Sequence, residues 1–149
     1  MIAAPMPRSV AWLGYAGLLP FIALALASVL DASHRASWQH HGLTYGAVIL
    51  SFVGALHWGF AISAHAMSER KRRACYAWSV MPALLAWLAL MLDPLAASAL
   101  LAAGFALHYV QDWRLVRHAG LPAWYLPLRL RLSMVAIVSL LATGLAPRL

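Results

Sequence analysis

The sequence predicts an all-α protein built as a bundle of five transmembrane helices, and two observations carry this prediction. Of the 149 residues, 64% are hydrophobic and only 10% are charged, a balance outside the range of ordinary soluble domains. Apolar runs long enough to cross a bilayer also alternate with short basic segments. The clearest run, residues 43–66, holds no Asp, Glu, Lys or Arg and would extend roughly 36 Å as a helix.

The five predicted spans leave no room for a separate soluble domain. The first span follows a short basic lead, and its length favours a membrane helix over a signal peptide, whose apolar region is shorter. Pro20 lies near the middle of this span and predicts a kink there. The spans are predicted over residues 10–30, 43–66, 75–92, 95–113 and 127–145.

The connections between spans are short and mostly basic. Residues 70–73 are four consecutive Lys or Arg residues and form a strong stop signal before the third span. Asp93 and Pro94 predict a tight turn between the third and fourth spans. Arg129 and Arg131 fall in the first turn of the fifth span, where both are expected to extend to the membrane surface.

The distribution of charge predicts the orientation. All but two of the 11 Lys and Arg residues fall on the side of the amino terminus, which places that side in the cytoplasm and the carboxyl terminus outside. The formal charge of +7 is thus explained by topology and by contact with anionic lipid, so no nucleic-acid partner is expected. The nine residues are Arg8, Arg70, Lys71, Arg72, Arg73, Arg114, Arg117, Arg129 and Arg131, against Arg35 and Arg148 outside.

The best candidate site lies in the inner half of the membrane. His57, His65, His108 and Asp112 all fall at that depth, where an unpaired polar group is costly and faces protein or a ligand. His108 and Asp112 are four residues apart and share one helical face. The alternative is that Asp112 serves the basic loops by pairing with an arginine, Arg114, Arg117 or Arg129. Trp58 and Ser51, near His57, complete the candidate ligand-binding set.

The outer loop between the first two spans is a second candidate. Its carboxylate and imidazoles, Asp31, His34, His40 and His41, could form a mixed nitrogen and oxygen site for zinc or copper. The alternative is an interfacial loop with solvated histidines, anchored by Trp38. Cys75 is the single cysteine, which excludes an internal disulfide and any Cys-based metal site within one chain.

Two kinds of cofactor are compatible with the membrane histidines. Haem is one, because transmembrane histidines are common axial ligands, but helix rise separates His57 and His108 by roughly 6 Å in depth, which is awkward for one iron. A quinone or another amphipathic ligand fits more easily, since the seven tryptophans and five tyrosines could line its pocket. The alternative for these aromatics is interface anchoring and core packing.

Several motifs resemble a known family. They are the segments 15–21, 45–59 with its Ser51-Phe-Val-Gly-Ala-Leu-His57-Trp58-Gly59 core, and 76–84, together with Asp112-Trp113 and Trp124 to Arg129. This set is similar to the bacterial family of uncharacterised membrane proteins that includes eukaryotic transmembrane protein 69. The resemblance implies a small multi-pass protein of the bacterial inner membrane. In size and tryptophan content the chain is also similar to tryptophan-rich sensory proteins, which implies a porphyrin as a further possible ligand.

Three function hypotheses follow. The first is a non-enzymatic membrane protein, either a binder of a small molecule (lipid, quinone or porphyrin) or an accessory subunit of a membrane complex. The second is a redox or lipid-modifying enzyme that uses His57, His108 and Asp112. The third is a transporter or proton path, which at this length requires a homo-oligomer. Membrane lipids are the expected partners in each case, with a membrane protein or a second copy as further partners.

The orientation can be tested with reporters. A reporter fused after Arg73 or after Gly120 should report cytoplasm, and one fused at Leu149 should report the outside, because the basic segments stay on the cytoplasmic side. Reporter activity in intact cells measures this. The reverse pattern, or cleavage of the first span, would contradict both the orientation and the placement of the candidate site in the inner half.

Overall fold

The computed structural model describes residues 5–64 and 67–146 of the chain. Within these residues six α-helices follow one another, and a 3₁₀ turn, Ala32–His34, joins the second to the third. His65 and Arg148, which were placed by sequence, lie outside the described residues, as does the side chain of Arg117. The helices are α1 Arg8–Ala16, α2 Leu19–Leu30, α3 Arg35–Ser63, α4 Glu69–Ala89, α5 Pro94–Ala119 and α6 Tyr125–Leu145.

The helices form the polytopic bundle that the sequence predicts. Four stretches are long and apolar enough to cross a membrane: residues 8–30, 32–63, 94–116 and 125–145. Helix α4 is not among them, because Glu69 and the basic run occupy its first turns. It nevertheless packs along α3 and connects the end of α3 to the start of α5. The chain therefore recrosses the bundle through α4, and the prediction of an all-α membrane bundle is confirmed.

Two predicted loops are shorter than expected because the neighbouring helices extend into them. Helix α3 begins at Arg35, well before the predicted span at 43, and α5 continues to Ala119. The side chain of Asp31 accepts hydrogen bonds from the backbone N–H groups of Ser33 and His34, at 3.1 and 3.2 Å, which starts the helical path early. At the other end, Gly120 ends α5 with a φ of 62°, a conformation that glycine adopts without strain.

The first predicted span is interrupted rather than simply kinked. Helix α1 ends at Ala16 and α2 begins at Leu19, which places Pro20 in the first turn of α2, where its missing N–H group costs nothing. The break leaves backbone carbonyls without helical partners. The hydroxyl of Tyr45 on α3 donates a hydrogen bond to the carbonyl of Gly17, at 2.8 Å, so α3 stabilises the break.

Part of the basic run is structural. The guanidinium of Arg72 donates hydrogen bonds to the carbonyls of Ala61 and Ala64 at the end of α3. These carbonyls have no partners within the helix, and a cation at a helix carboxyl terminus also complements the helix dipole. Arg72 therefore ties the start of α4 to the end of α3.

Small residues let the helices approach closely. A Cβ atom added to Gly54 on α3 would lie 2.8 Å from the ring of Pro82 on α4, so the two backbones meet there. Leu50, Leu101 and Leu140, on three different helices, are fully buried at the centre. The outer faces are apolar instead, with Trp12 and Leu30 more than three-quarters exposed. An apolar exterior around a packed core is the pattern of a lipid-facing bundle.

Two glycines on α3 give a matched test of this packing. Gly54→Ala should destabilise the protein by about 1–3 kcal/mol because the added methyl group overlaps Pro82. Gly59→Ala should be neutral or stabilising by up to about 1 kcal/mol, because a Cβ at Gly59 has nothing within 4 Å and alanine favours helix. Titration of the purified variants with a denaturing detergent measures both. Equal effects would show that α3 and α4 do not pack at Gly54.

Candidate functional site

The structure brings together three ionisable residues that the sequence predicts at a similar depth. His57 on α3 and both His108 and Asp112 on α5 are at most 2% exposed. The Nε2 atoms of His57 and His108 lie 3.8 and 3.7 Å from Oδ1 of Asp112, and the two imidazole rings meet edge to face with centroids 4.7 Å apart. The core-facing heptad of α3 places His57 in this position, in line with Gly46, Leu50 and Val53.

Asp112 has a cation partner on the next helix. The Nε atom of Arg129 donates to its Oδ2 at 2.7 Å, and the hydroxyl of Tyr125 donates to its Oδ1 at 3.1 Å. The prediction that Arg129 extends to the membrane surface is therefore wrong. The side chain turns inward because the buried carboxylate of Asp112 is costly unless a cation neutralises it. Arg131 does remain exposed and contacts the hydroxyl of Tyr15, at 3.3 Å.

Of the three arginines that the sequence offers as partners of Asp112, the structure selects Arg129, and sequence reasoning missed two further residues of the site, Tyr125 and Trp78. Signals existed for Arg129 and Tyr125 but not for Trp78. The first signal is that Tyr125, Arg129 and Ser133 recur at four-residue spacing and so share one face of α6. Tyr125, Arg129 and Ser133 are all buried. A carboxylate within an apolar helix also requires a nearby cation. No comparable signal distinguished Trp78 from the other tryptophans.

Trp78 on α4 fixes the protonation of His108. Its indole N–H donates to Nδ1 of His108, at 3.1 Å, and the two rings are nearly parallel, with an interplanar angle of 13°. An indole nitrogen only donates, so Nδ1 of His108 acts as an acceptor and the ring proton lies on Nε2. That proton faces Asp112. We call His57, His108, Asp112, Tyr125 and Arg129 the buried polar group.

Several polar atoms of this region have no hydrogen-bond partner among the described residues. They are both ring nitrogens of His57, Nε2 of His108, Nη2 of Arg129 and Oγ of Ser133. Buried polar atoms are nearly always paired, and each exception requires an explanation. These atoms indicate positions at which the polar end of a ligand or water completes the hydrogen bonding.

The buried polar group resembles a metal site in spacing but not in chemistry. His57, His108 and Asp112 offer ligand atoms that lie within 4.8 Å of one another. However, the proton on Nε2 of His108 occupies the lone pair that a metal would need. The guanidinium of Arg129 also already neutralises Asp112. A cation would face this positive charge, so we assign no metal ion to the group.

The two histidines do not fit as axial ligands of one haem. Their rings are in direct contact, edge to face, and a porphyrin plane has no room between them. The stacked indole of Trp78 covers His108 on another side. The predicted difference in depth is not the obstacle, because the two rings lie side by side with centroids 4.7 Å apart.

An apolar cavity of about 360 Å³ reaches the buried polar group from the side of α1 and α2. Its polar lining comes from three consecutive turns of α6, namely Tyr125, Arg129 and Ser133. His57, His108 and Asp112 do not line it and lie behind Tyr125 and Arg129. The rest of the lining is apolar and includes Leu13, Leu18, Phe21, Ile49, Phe105 and Leu132.

A second cavity of about 240 Å³ reaches the group from the end of the bundle. We call it the basic cavity, because Lys71 and Arg114 contribute to its lining. His57 lies in its wall, with Trp78 and Gln111 beside it. The buried polar group therefore separates an apolar cavity from a basic one, and His57 is the member of the group that lines the basic cavity.

The other two predicted ligand contacts point elsewhere. The hydroxyl of Ser51 donates to the carbonyl of Ala47 one turn earlier, at 2.8 Å. Trp58 is half exposed and packs on Tyr76, with ring centroids 4.8 Å apart. Each residue turns a helix by about 100°, so the neighbour of a core-facing His57 points to lipid. The structure does not bring Ser51 or Trp58 to the site.

The histidines between the first two predicted spans form local contacts. Nδ1 of His34 lies 2.9 Å from Oδ2 of Asp31, which also accepts from the indole of Trp38 at 3.0 Å. Both hydrogen bonds lower the pKa of Asp31 below its ordinary value, and the bond from Trp38 has the larger effect. His40 and His41 lie further along α3, with ring centroids 5.7 Å apart. A metal ion shared by these four residues stays a prediction.

Fold and site together define a multi-pass helical membrane protein with an ionisable group buried between two cavities. The chain belongs to the family described as "Protein of unknown function (DUF3429)", whose model matches residues 6–145. The resemblance to a family of uncharacterised membrane proteins, which the motifs indicate, is thereby confirmed.

Two relatives carry the same printed name. Transmembrane protein 69 of Xenopus tropicalis is 34% identical over 146 residues, which cover 92% of this chain and 54% of the relative. Transmembrane protein 69 of Mus musculus is 28% identical over 141 residues, which cover 92% of this chain and 56% of the relative. The chain thus spans just over half the length of these relatives. No solved structure matches.

The pair formed by Asp112 and Arg129 makes a strong prediction about stability. Asp112→Asn or Arg129→Gln alone should destabilise the protein by about 3–5 kcal/mol, because each leaves an uncompensated buried charge. The double variant Asp112→Leu with Arg129→Met removes both charges and should recover most of that loss. Unfolding by denaturing detergent measures all of them.

Arg131→Gln is the matched control for this test. It removes a guanidinium from the same helix at an exposed position and should change the free energy of unfolding by no more than about 0.5 kcal/mol. Additive losses in the double variant would contradict the pairing of Asp112 with Arg129.

Proposed function

We propose that this protein is a membrane-embedded binder of an amphipathic small molecule, such as a lipid or a quinone. The observation that carries the proposal is the apolar cavity of about 360 Å³, which has a polar end formed by Tyr125, Arg129 and Ser133. Ligand sites in proteins are commonly concave and mostly apolar, with a few polar groups that fix orientation. The unpartnered Nη2 of Arg129 and Oγ of Ser133 would receive the polar end of the ligand.

The position of the histidines favours binding over catalysis by them. A substrate in the apolar cavity would contact Tyr125 and Arg129 first, because His57, His108 and Asp112 do not line that cavity. An enzyme that uses these three groups would need its substrate to pass both side chains. The proposal is therefore a binding site, and the buried polar group sets the charge of its inner wall.

We further infer that the protein resides in the bacterial inner membrane with its amino terminus in the cytoplasm. The concentration of Lys and Arg at one end of the chain's helices supports this orientation, and the resemblance noted in the sequence supports the compartment. The apolar cavity is lined by Val10 of α1 and by Trp124 just before α6. In this orientation it would open toward the cytoplasmic leaflet.

A filled cavity tests the proposed function. Leu132 lines the apolar cavity, so Leu132→Trp should occupy the space and lower the amount of bound molecule at least about tenfold. Leu130→Trp places the same ring on an exposed part of α6 and should have no effect. Wild type and both variants are purified in lipid nanodiscs, and the molecules that copurify are identified and quantified by mass spectrometry.

The expected result is one class of amphipathic molecule enriched over the surrounding lipid in wild type and in Leu130→Trp, and lost in Leu132→Trp. Ser133→Ala should weaken binding by about threefold to tenfold, as expected for one hydrogen bond. Identical lipid profiles in all variants would refute a specific binder.

A further inference from the structure

The inner wall of the apolar cavity favours a negatively charged ligand. Arg129 lines this cavity, and while its Nε pairs with Asp112, its Nη2 has no partner among the described residues. The planar guanidinium is suited to carboxylate, sulfonate and phosphate oxygens, which it binds in charge-assisted pairs. An anionic group is therefore the polar end that Arg129 would hold most strongly.

Such a ligand would add a negative charge to the buried polar group, which is otherwise neutral. Asp112 and Arg129 cancel one another, so the buried polar group carries no net charge when both imidazoles are neutral. An anion bound at Arg129 adds a negative charge where water is excluded, which is costly unless it is compensated. The nearest groups that can supply a positive charge are His57 and His108, both within 3.8 Å of Asp112.

The hydrogen bonds identify which histidine can take the proton. A second proton on His108 would go to Nδ1, where it would face the indole N–H of Trp78 and break that hydrogen bond. His57 has no such obstacle, since neither of its ring nitrogens has a partner among the described residues. Its Nε2 faces Asp112, so an imidazolium at His57 would be stabilised directly by the carboxylate.

His57 also has a cavity beside it that is separate from the apolar one. It lines the basic cavity at the end of the bundle, and this cavity would give a proton from the aqueous phase a path that does not cross the apolar cavity. Burial of the imidazole opposes its protonation most strongly, and the positive charges of Lys71, Arg114 and Arg129 oppose it further, while Asp112 and a bound anion favour it. The ionisable groups around His57 are Lys71 and Cys75 of α4, His108, Asp112 and Arg114 of α5, and Tyr125 and Arg129 of α6, and α2 contributes none.

We propose that the ligand of the apolar cavity is an anionic amphipath, and that its binding at Arg129 is coupled to the uptake of one proton at His57 through the basic cavity. This inference rests on the proposed binding function. The anion, Arg129, Asp112 and the imidazolium then form a neutral set of four charges. No covalent bond of the ligand changes, and the proton comes from the buffer.

Two probes of equal chain length separate the ligand's charge from its shape. Decane-1-sulfonate stays ionised at every working pH, so any proton uptake belongs to the protein, and 1-decanol is its neutral counterpart. Calorimetry in two buffers with different heats of ionisation counts the protons, with the protein in phosphatidylcholine nanodiscs. We expect the sulfonate to bind with uptake of about one proton and to lose about tenfold in affinity per unit of rising pH over the coupled range. The alcohol should bind without uptake.

Variants at the histidines and at Trp78 assign the proton. His57→Phe should abolish the uptake, while His41→Phe, at an exposed histidine of the same helix, should leave it unchanged. In the His57→Phe background, Trp78→Phe releases Nδ1 of His108 and should restore part of the uptake. Nitrogen-15 resonances of the histidine rings report the protonated residue directly. If His57→Phe does not fold, His57→Gln keeps a similar volume without titrating.

Failure of the proton coupling and failure of ligand binding give different results. Sulfonate binding without proton uptake, or uptake that persists in His57→Phe, would overturn the coupling and leave the binder intact. Binding of the alcohol but not of the sulfonate would overturn the anionic ligand. If neither probe binds and Leu132→Trp behaves as wild type, the proposed function itself fails.

Discussion

The rest of the site depends on one constraint, the need to neutralise the carboxylate of Asp112 inside an apolar bundle. Arg129 meets it at 2.7 Å and so fixes the register of α6 against α5. Tyr125 adds a second hydrogen bond from the same helix. The histidines then pack around the acid, and Trp78 reaches the group from α4. One ionised side chain thereby organises four helices, and removing its partner would leave a charge that lipid cannot solvate.

Sequence reasoning located the acid and the histidines because depth in a membrane helix can be counted from its ends. It named Arg129 as one of three possible partners of Asp112 but could not select it, since an arginine at the start of a helix can extend to the headgroups or turn inward with the same backbone. That choice depends on a partner 17 residues away. His57 and Trp58 are neighbours in the predicted ligand-binding set, but they point to different faces of α3, so that His57 is buried and Trp58 is half exposed.

The positions of the helices could be predicted from the sequence, but their ends could not. The apolar runs predicted where the membrane helices lie, but not that α3 would extend to 29 residues, which at ~1.5 Å each exceeds the bilayer's hydrocarbon thickness. The 3₁₀ turn that leads directly into α3 is capped by Asp31, a residue whose spacing from His34 suggests a metal ligand. Arg72 likewise counts as a topology signal by sequence, while its hydrogen bonds make it the cap of α3.

The break between α1 and α2 bears on how a molecule would enter the bundle. Helix α1 buries none of its side chains, yet Val10, Leu13 and Gly14 form one wall of the apolar cavity. Because α2 remains anchored to α3 through Phe21 and through the hydrogen bond from Tyr45 to Gly17, displacing α1 sacrifices little packed surface. The first helix, with nine residues, is thus the wall of the cavity that could move outward at the smallest loss of packing while the remaining helices stay in place.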